Sequence, residues 1–429
     1  MDKRTEYAAW QKVTAPASYP SNISAPPLPF DAPLPASVLN IEARSRTNLF
    51  PWRGQFSPQL VEALLRAYAP LGSVVLDPFM GSGTVLVESA RLAYPAYGVE
   101  VNPAAYLLGR VYELCNAAGP ERDVLLREAE AVLTKMRPTA FDLPLFSTGG
   151  AGVSPRSLDH PEWIPEPTDP RVRMLLDALM VLLDEDTESD QSYVSKWAAV
   201  REIVLGLPYT ATPICAIFGD ARQIPLPNAS VDFVLSSPPY INVFNYHHNS
   251  RARIESLGWK PLVVARSEIG SNRKFRQNRF LTVIQYCIDM SIALAELRRV
   301  CTGSARILLV LGKESNVHKT PFYNSQILER LAVDVIRLRT QLRQQRVFLN
   351  RFGQRIYEDL LHLSPGPTES PGKNGLIEDA RNIAKAVLME ARGRVPIDRR
   401  HYLEEAIGRA AEIQPSPILE PSQARGAVR

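Results

Sequence analysis

Asp77-Pro78-Phe79-Met80-Gly81-Ser82-Gly83-Thr84 is the stretch whose reading decides the fold. It follows Val74-Val75-Leu76, a short apolar run of the kind a buried parallel strand shows. A helical pattern carrying Val85, Leu86, Val87 and Ala90 comes next. The glycines let the chain turn tightly and present backbone N–H groups to a ligand. Twenty-three residues beyond Asp77, Glu100 closes the next strand-like segment, Ala96-Tyr97-Gly98-Val99-Glu100. A carboxylate there can accept hydrogen bonds from both hydroxyls of an adenosine ribose. The string departs from the GxGxxG fingerprint and from the GxxxxGK(S/T) phosphate loop, and it has no lysine for a phosphate. That argues against NAD and ATP.

Upstream, Ser57-Pro58 caps and opens a helix with Leu60, Val61, Leu64 and Leu65 on one face; downstream, Pro103 opens another. The order β-loop-α-β-α is the first half of a doubly wound sheet. Residues 1–44 read as an irregular arm broken by prolines, and 45–115 as the cofactor-binding half of the core. The alternation lapses over 116–212, read as a mostly helical insertion: a lid, a recognition region or a small separate lobe. The catalytic half spans 213–363. Strands are expected at 215–218, 231–235 and 305–311, an amphipathic helix at 281–300, and helix over 323–340. A closing hairpin over 344–363 would turn at Gly353. Residues 364–429 read as helical patches ending, after Pro415 and Pro417, in a loose terminus.

Ser236-Ser237-Pro238-Pro239-Tyr240 comes directly after the 231–235 strand. Two prolines hold the backbone extended without N–H groups of their own, so neighbouring carbonyls point in set directions. Ser237 and the Pro238 carbonyl can then orient an exocyclic amine, and Tyr240 can stack on a base. Past this loop, residues 247–279 carry Arg251, Arg253, Lys260, Arg266, Arg273, Lys274, Arg276 and Arg279 against only Glu255 and Glu268. Asn242 and Tyr246 stand at its entry. A second basic run holds Arg337, Arg339, Arg343, Arg346, Arg351 and Arg355. Both suit a phosphate backbone.

The formal charge of +4 permits a nucleic-acid partner without requiring one. Four cysteines form no CxxC pair, and neither zinc nor any other metal site is expected. No signal peptide and no uninterrupted apolar run of about 20 residues is apparent, which places the expected location in a cytoplasm, away from membranes.

Together, Phe79-Met80-Gly81-Ser82-Gly83 and Ser237-Pro238-Pro239-Tyr240 carry a resemblance. The chain resembles the amino-methyltransferases of DNA that use S-adenosylmethionine (SAM), over about 45–115 and 215–345. The resemblance implies a Rossmann-like sheet, SAM as cofactor and double-stranded DNA as partner. Phe79, Gly81 and Gly83 would hold its methionine part, with Phe56-Ser57-Pro58 closing over the carboxylate. Asp77, Pro78, Thr84 and Ser236 would complete that wall, Glu100 would take the ribose and Asp220 the adenine side. Ser237, Pro238, Pro239 and Tyr240 would be the catalytic loop. Asn242, Tyr246, Arg251, Arg253, Arg273, Lys274, Arg276 and Arg279 would meet DNA. SPPY is closest to the N4-cytosine enzymes, with adenine N6 and guanine N2 of tRNA or rRNA as alternatives. A bacterial or archaeal host and a companion restriction endonuclease are associations the resemblance brings.

Overall fold

The apolar runs 75–77 and 96–100 become β1 (Val75–Asp77) and β2 (Ala96–Glu100), paired in parallel at the centre of a sheet. In the computed structural model the described residues are 26–41, 47–52, 54–137, 169–183, 189–241, 250–271, 275–350, 352–367 and 372–425. The remaining strands are β3 (Ile214–Phe218), β4 (Val231–Ser236), β5 (Cys301–Gly312), β6 (Glu314–Val317), β7 (Thr320–Tyr323), β8 (Leu338–Leu349) and β9 (Arg355–Pro365). Seven of them form a sheet of order β3-β2-β1-β4-β5-β9-β8; β6 and β7 make a separate hairpin. The first five run parallel, and β9 is antiparallel to both β5 and β8. This is a Rossmann-like α/β fold with helical insertions and extra C-terminal elements. Strand order reverses between β1 and β4, and a ligand crevice is expected outside the carboxyl ends of those two strands.

Helices cover both faces, which is why the central strands are apolar throughout. On one face lie α1 (Ala36–Asn40), α2 (Pro58–Tyr68), α3 (Thr84–Arg91), α4 (Pro103–Arg110), α5 (Gly119–Met136), α6 (Pro170–Leu182) and α7 (Asp190–Leu205). Pro58 sits at the first turn of α2, though the Ser57 side chain makes no cap bond. Asn102 does cap α4, its Oδ1 accepting from Ala104 N at 2.9 Å. Helices α5–α7 lie within 116–212 and share one apolar core with Val75 and Phe233 of the sheet. They are a layer of the main body, not a separate lobe.

Beyond β4 come two short helices, α8 (Arg251–Ser256) and α9 (Pro261–Val264), and then α10 (Phe280–Val300). The last is long and apolar enough to cross a membrane by composition, yet most of it is buried inside this fold. It is not the amphipathic helix expected, because its outer side is covered too. After α11 (Asn324–Arg330), α12 (Lys373–Ala391) and α13 (Arg400–Gly408) pack over it. The expected helix over 323–340 continues beyond α11 as a π-helix over Leu331–Val335, and Arg337, at a left-handed φ of 64°, then turns the chain into β8. Cross-strand pairing with β9 overrides the helical pattern there. The irregular arm also gains a helix, α1, immediately after Pro35.

The C-terminal segment is not loose. The Arg222 guanidinium, wholly buried, donates to Asp220 at 2.6 Å and Asp289 at 2.9 Å. It also donates to the carbonyls of Ser267 (2.8 Å), Ser416 (2.9 Å) and Pro417 (2.9 Å). The N–H groups of Ser416 and Leu419 donate back to Asp289 and Asp220. Farther on, Lys260 N donates to Ala424 O at 2.8 Å and the Arg425 guanidinium stacks 4.2 Å over Trp259. A buried cation with two carboxylates and three carbonyls holds the tail against the sheet. Removing one partner of such a set leaves uncompensated buried charge, costing about 3–5 kcal/mol. Arg222→Met should therefore lower the free energy of unfolding by about 3–5 kcal/mol in urea titration; a loss under about 1 kcal/mol would refute the hub.

Candidate active site

The crevice lies where the strand order places it. Ser236 Oγ, at the end of β4, donates to Asp77 Oδ1, at the end of β1, over 2.5 Å in a fully buried contact. The same oxygen accepts from Phe79 N at 3.1 Å. Burial raises the Asp77 carboxyl to about 7, against the opposing pull of Ser236 and the Phe79 N–H. Ser236 thus supports the wall from beneath and does not line the cavity.

Gly81 adopts φ +55°, a left-handed turn open to glycine, and its N–H donates to Glu100 Oε2 at 2.7 Å. Glu100 Oε1 accepts from Asn102 N at 2.7 Å. Glu100 thus ties the glycine turn to the start of α4, and it lines the cavity. Gly83, at φ +89°, serves packing: a Cβ there would lie 2.7 Å from the Tyr112 ring. It is absent from the cavity wall, unlike Gly81 and Thr84. The segment before α2 folds onto this loop through Gln55, which donates to Ser82 Oγ and to Phe50 O.

Ser237, Pro238, Pro239 and Tyr240 line the same cavity, of about 610 Å³, as Asp77, Pro78, Phe79 and Glu100. That volume is within the roughly 300–1,000 Å³ of small-molecule sites. Phe56 and Asp220 line it too, but the Asp220 carboxylate is taken up by Arg222 and Leu419 N. Three residues that the sequence did not single out hold the Ser237–Tyr240 loop. The hydroxyl of Tyr286, on α10, donates to Pro239 O at 3.1 Å. Gly270, at φ +76°, lets the chain pass the Tyr240 carbonyl, where any Cβ would clash. Gly312, the last residue of β5, receives the Tyr240 ring: a Cβ there would lie 3.0 Å from it. A glycine at a strand end and a tyrosine in an apolar helix were the only signals.

The last wall comes from the β8–β9 hairpin. Gly312, Glu358 and Arg346 are successive cross-strand partners on β5, β9 and β8. Opposed residues project from one face of a sheet, so Glu358 and Arg346 stand on the side where Tyr240 packs. Arg346 is buried, donates to Glu358 at 2.6 Å and lines the cavity with Phe348. It is not the phosphate-facing residue of the basic run; nor is Arg343, which pairs with Asp359 at 2.9 Å. The neutralising carboxylates come from β9, a strand away. Arg253 is likewise buried and Arg251 pairs with Glu255 at 2.8 Å, whereas Arg276 is exposed and Arg279 half-exposed. Asn242, Tyr246, Arg273, Lys274 and Arg351 lie outside the described residues. Among the described residues, none of 116–212 reaches the cavity that a lid would cover, and no cluster of metal-ligating groups is present. All four cysteines are pushed up to about 12, chiefly by burial, and none lines the cavity.

Tyr286→Phe removes one hydrogen bond from the loop and should cost about 1 kcal/mol of stability while lowering kcat about tenfold. Cofactor affinity, read by calorimetry, should stay unchanged. Gly270→Ala, strained in φ and blocked by Tyr240, should lower kcat more; equal wild-type rates for both variants would refute the support assigned to these residues.

Residues 5–109 match the profile of the N6_N4_Mtase family, a DNA methylase. The type II methyltransferase M.MjaII of Methanocaldococcus jannaschii is 38% identical over 63 residues, which are 15% of this chain and only 12% of that relative's length. Two solved structures are alike in outline at 13% identity. A SAM-dependent methyltransferase of Methanosarcina mazei aligns with a TM-score of 0.31 over 68% of this chain and 92% of its own. The rRNA methyltransferase aviRa of Streptomyces viridochromogenes aligns at 0.30 over 83% and 99%. Neither likeness is strong enough to bear on substrate. The family match ends at residue 109 and takes in Asp77, Gly81 and Glu100, which line the cavity. Over that segment the chain is similar to the N6/N4 DNA methylases, a likeness that implies S-adenosylmethionine as cofactor.

Proposed function

We propose that this protein transfers the methyl group of SAM to N4 of a cytosine flipped out of duplex DNA. The observation that carries the reading is the shared cavity: Asp77, Gly81 and Glu100 on one wall, Ser237–Tyr240 on the other. Bound SAM would supply a methyl carbon that an amine lone pair can attack in line, the C–S bond breaking with its electron pair left on the neutral thioether of S-adenosylhomocysteine. The cavity fits it: Gly81, in a left-handed turn, brings the backbone to the cavity wall, and the Glu100 carboxylate lines the same wall at the end of β2, where a ribose would lie. Ser237 Oγ and the Pro238 carbonyl accept the amine N–H groups, directing the nitrogen lone pair toward the cofactor wall. Tyr240, braced on Gly312, stacks on the base and holds it in register. The proton released by the methylated nitrogen passes to a loop carbonyl or to water. No covalent base adduct is involved, in keeping with cysteines that are protonated and away from the cavity, three of the four buried. SPPY favours N4 of cytosine, and a companion restriction endonuclease belongs to the same proposal.

The test is to incubate the protein with methyl-labelled SAM and either unmethylated duplex DNA or unmodified tRNA, then digest to nucleosides. Label in N4-methylcytosine is expected. Label in N6-methyladenine would overturn the target base, and methylguanosine from tRNA alone would overturn DNA as substrate. Tyr240→Ala should lower kcat on the labelled substrate about tenfold to a hundredfold, the worth of one base–aromatic stack.

Asp77 adds a pH dependence. In the free protein burial favours its neutral form up to about pH 7, whereas a bound sulfonium and ammonium favour the carboxylate. Binding therefore releases a proton, and SAM affinity should rise with pH through 7. Calorimetry should find binding about tenfold weaker at pH 6 than at pH 8, with the difference abolished in Asp77→Asn; a flat wild-type profile would remove Asp77 from cofactor binding.

A further inference from the structure

The β6–β7 hairpin turns in two residues, His318 and Lys319, between the paired Val317 and Thr320. Both hold a left-handed backbone, with φ of 49° and 62°. A two-residue hairpin loop ordinarily places asparagine, aspartate or glycine there, because a β-carbon is strained at positive φ. Strain of this kind persists where the side chains it presents have a use. His318 is half-buried: its Nε2 accepts from Arg279 N at 3.3 Å, and its ring stacks on Tyr402 at 5.7 Å. Lys319, next to it, is exposed.

Cations collect around this turn. Arg399 lies 5.9 Å over the same Tyr402 ring, and Arg394 lies 5.7 Å over Tyr323 at the end of β7. Asn278 donates to Tyr402 O at 2.8 Å. That bond fastens the entry to α10, with Arg276 and Arg279, against the start of α13, with Arg400. Burial first, then Arg399 and Arg279, push the His318 imidazole below its ordinary range, against the pull of Asp398. Asp398 pairs with Arg399 at 3.1 Å, and Glu405 is taken by Arg409 at 2.7 Å. Among the described residues no carboxylate pairs with Arg276, Arg279, Lys319 or Arg400.

This surface stands at the carboxyl edge of the sheet, where the cavity is. Helix α10 starts at that edge, because it follows the Ser237–Tyr240 loop and leads back to the start of β5. The hairpin starts there too, since it follows Gly312, the residue against which the Tyr240 ring packs. From Phe280 to Tyr286, which holds the Pro239 carbonyl, is six residues, or about 9 Å of helix. We propose that the β6–β7 turn, the entry to α10 and the segment 394–400 form one cationic surface that seats the phosphate backbone of duplex DNA beside the cavity, with Lys319 at its tip. The inference rests on the DNA reading above. Duplex DNA carries one negative charge per about 1.7 Å of its axis, and unpaired lysines and arginines displace its counterions. Such contacts carry no sequence information; they fix the position of the duplex, here next to the Ser237–Tyr240 loop.

Binding of a fluorescent mixed-sequence duplex, and of tRNA, is measured by anisotropy across a salt series. Lys319→Gly removes the charge and also relieves the turn, so it should melt at or above the wild-type temperature. It should nonetheless bind duplex about fivefold more weakly near about 0.1 M salt, with the log–log salt slope smaller by about 0.9. Lys319→Arg keeps the charge and should bind within about twofold of wild type. Arg276→Ala combined with Arg400→Ala should lower affinity by more than about tenfold and the slope by about 2, with SAM affinity by calorimetry unchanged. If Lys319→Gly binds duplex as tightly as wild type with the same slope, the surface is overturned and the DNA reading stands. Tighter wild-type binding to tRNA than to duplex would count against the DNA reading itself, and the surface would fall with it.

Discussion

The buried hydrogen bond from Ser236 to Asp77 joins two parts of the chain 159 residues apart. One is the turn after β1 that shapes the cofactor wall; the other is the loop after β4 that carries Ser237–Tyr240. Parallel pairing of Val75 with Phe233 and Leu76 with Val234 sets the register, and the hydrogen bond fastens the two strand ends. Between these ends the strand order reverses, so helices diverge and leave a crevice. The cavity depends on this adjacency, because the glycine turn and the Ser237–Tyr240 loop face each other only where their strand ends are fastened together.

Around that junction the protein uses its buried polar groups for positioning. Arg222 holds Asp220, the loop at Ser267 and the tail at Ser416 and Pro417 in one network. Tyr286 and Gly270 act on the Ser237–Tyr240 loop from the α10 side and from the chain beside it. Arg346 and Glu358 form an ion pair at the far wall. Each lies on a different segment, and Tyr286 and Gly270 touch the loop directly. The C-terminal residues 413–425 are part of this frame, with Leu419 and Ala424 packed beside Trp259.

Much of the centre was legible from local pattern. Short apolar runs ending in Asp77, Glu100, Phe218 and Ser236 read as buried parallel strands because both faces of the sheet are covered. Misreadings arose where a distant element decided the outcome. Helix α10 read as amphipathic because the covering helices α12 and α13 come 73 residues and more after it ends. Leu338–Thr340 read as helix, but β9 supplies them with a strand partner. Arg343 and Arg346 read as a basic surface because Asp359 and Glu358 oppose them only across a ladder.

The sequence by itself determined two short stretches: a glycine turn with its acid at Glu100, and a rigid Ser-Pro-Pro-Tyr loop. Turn conformation and proline geometry are local, so they survive reading one residue at a time. Tertiary structure alone decided that these stretches meet at one cavity and which residues support them. Tyr286, Gly270, Gly312 and the Arg346–Glu358 pair reach the site from elements far apart in the chain. Whether a side chain is buried, paired or poised at a cavity depends on what packs against it, and cross-strand and helix-on-sheet partners leave no local mark.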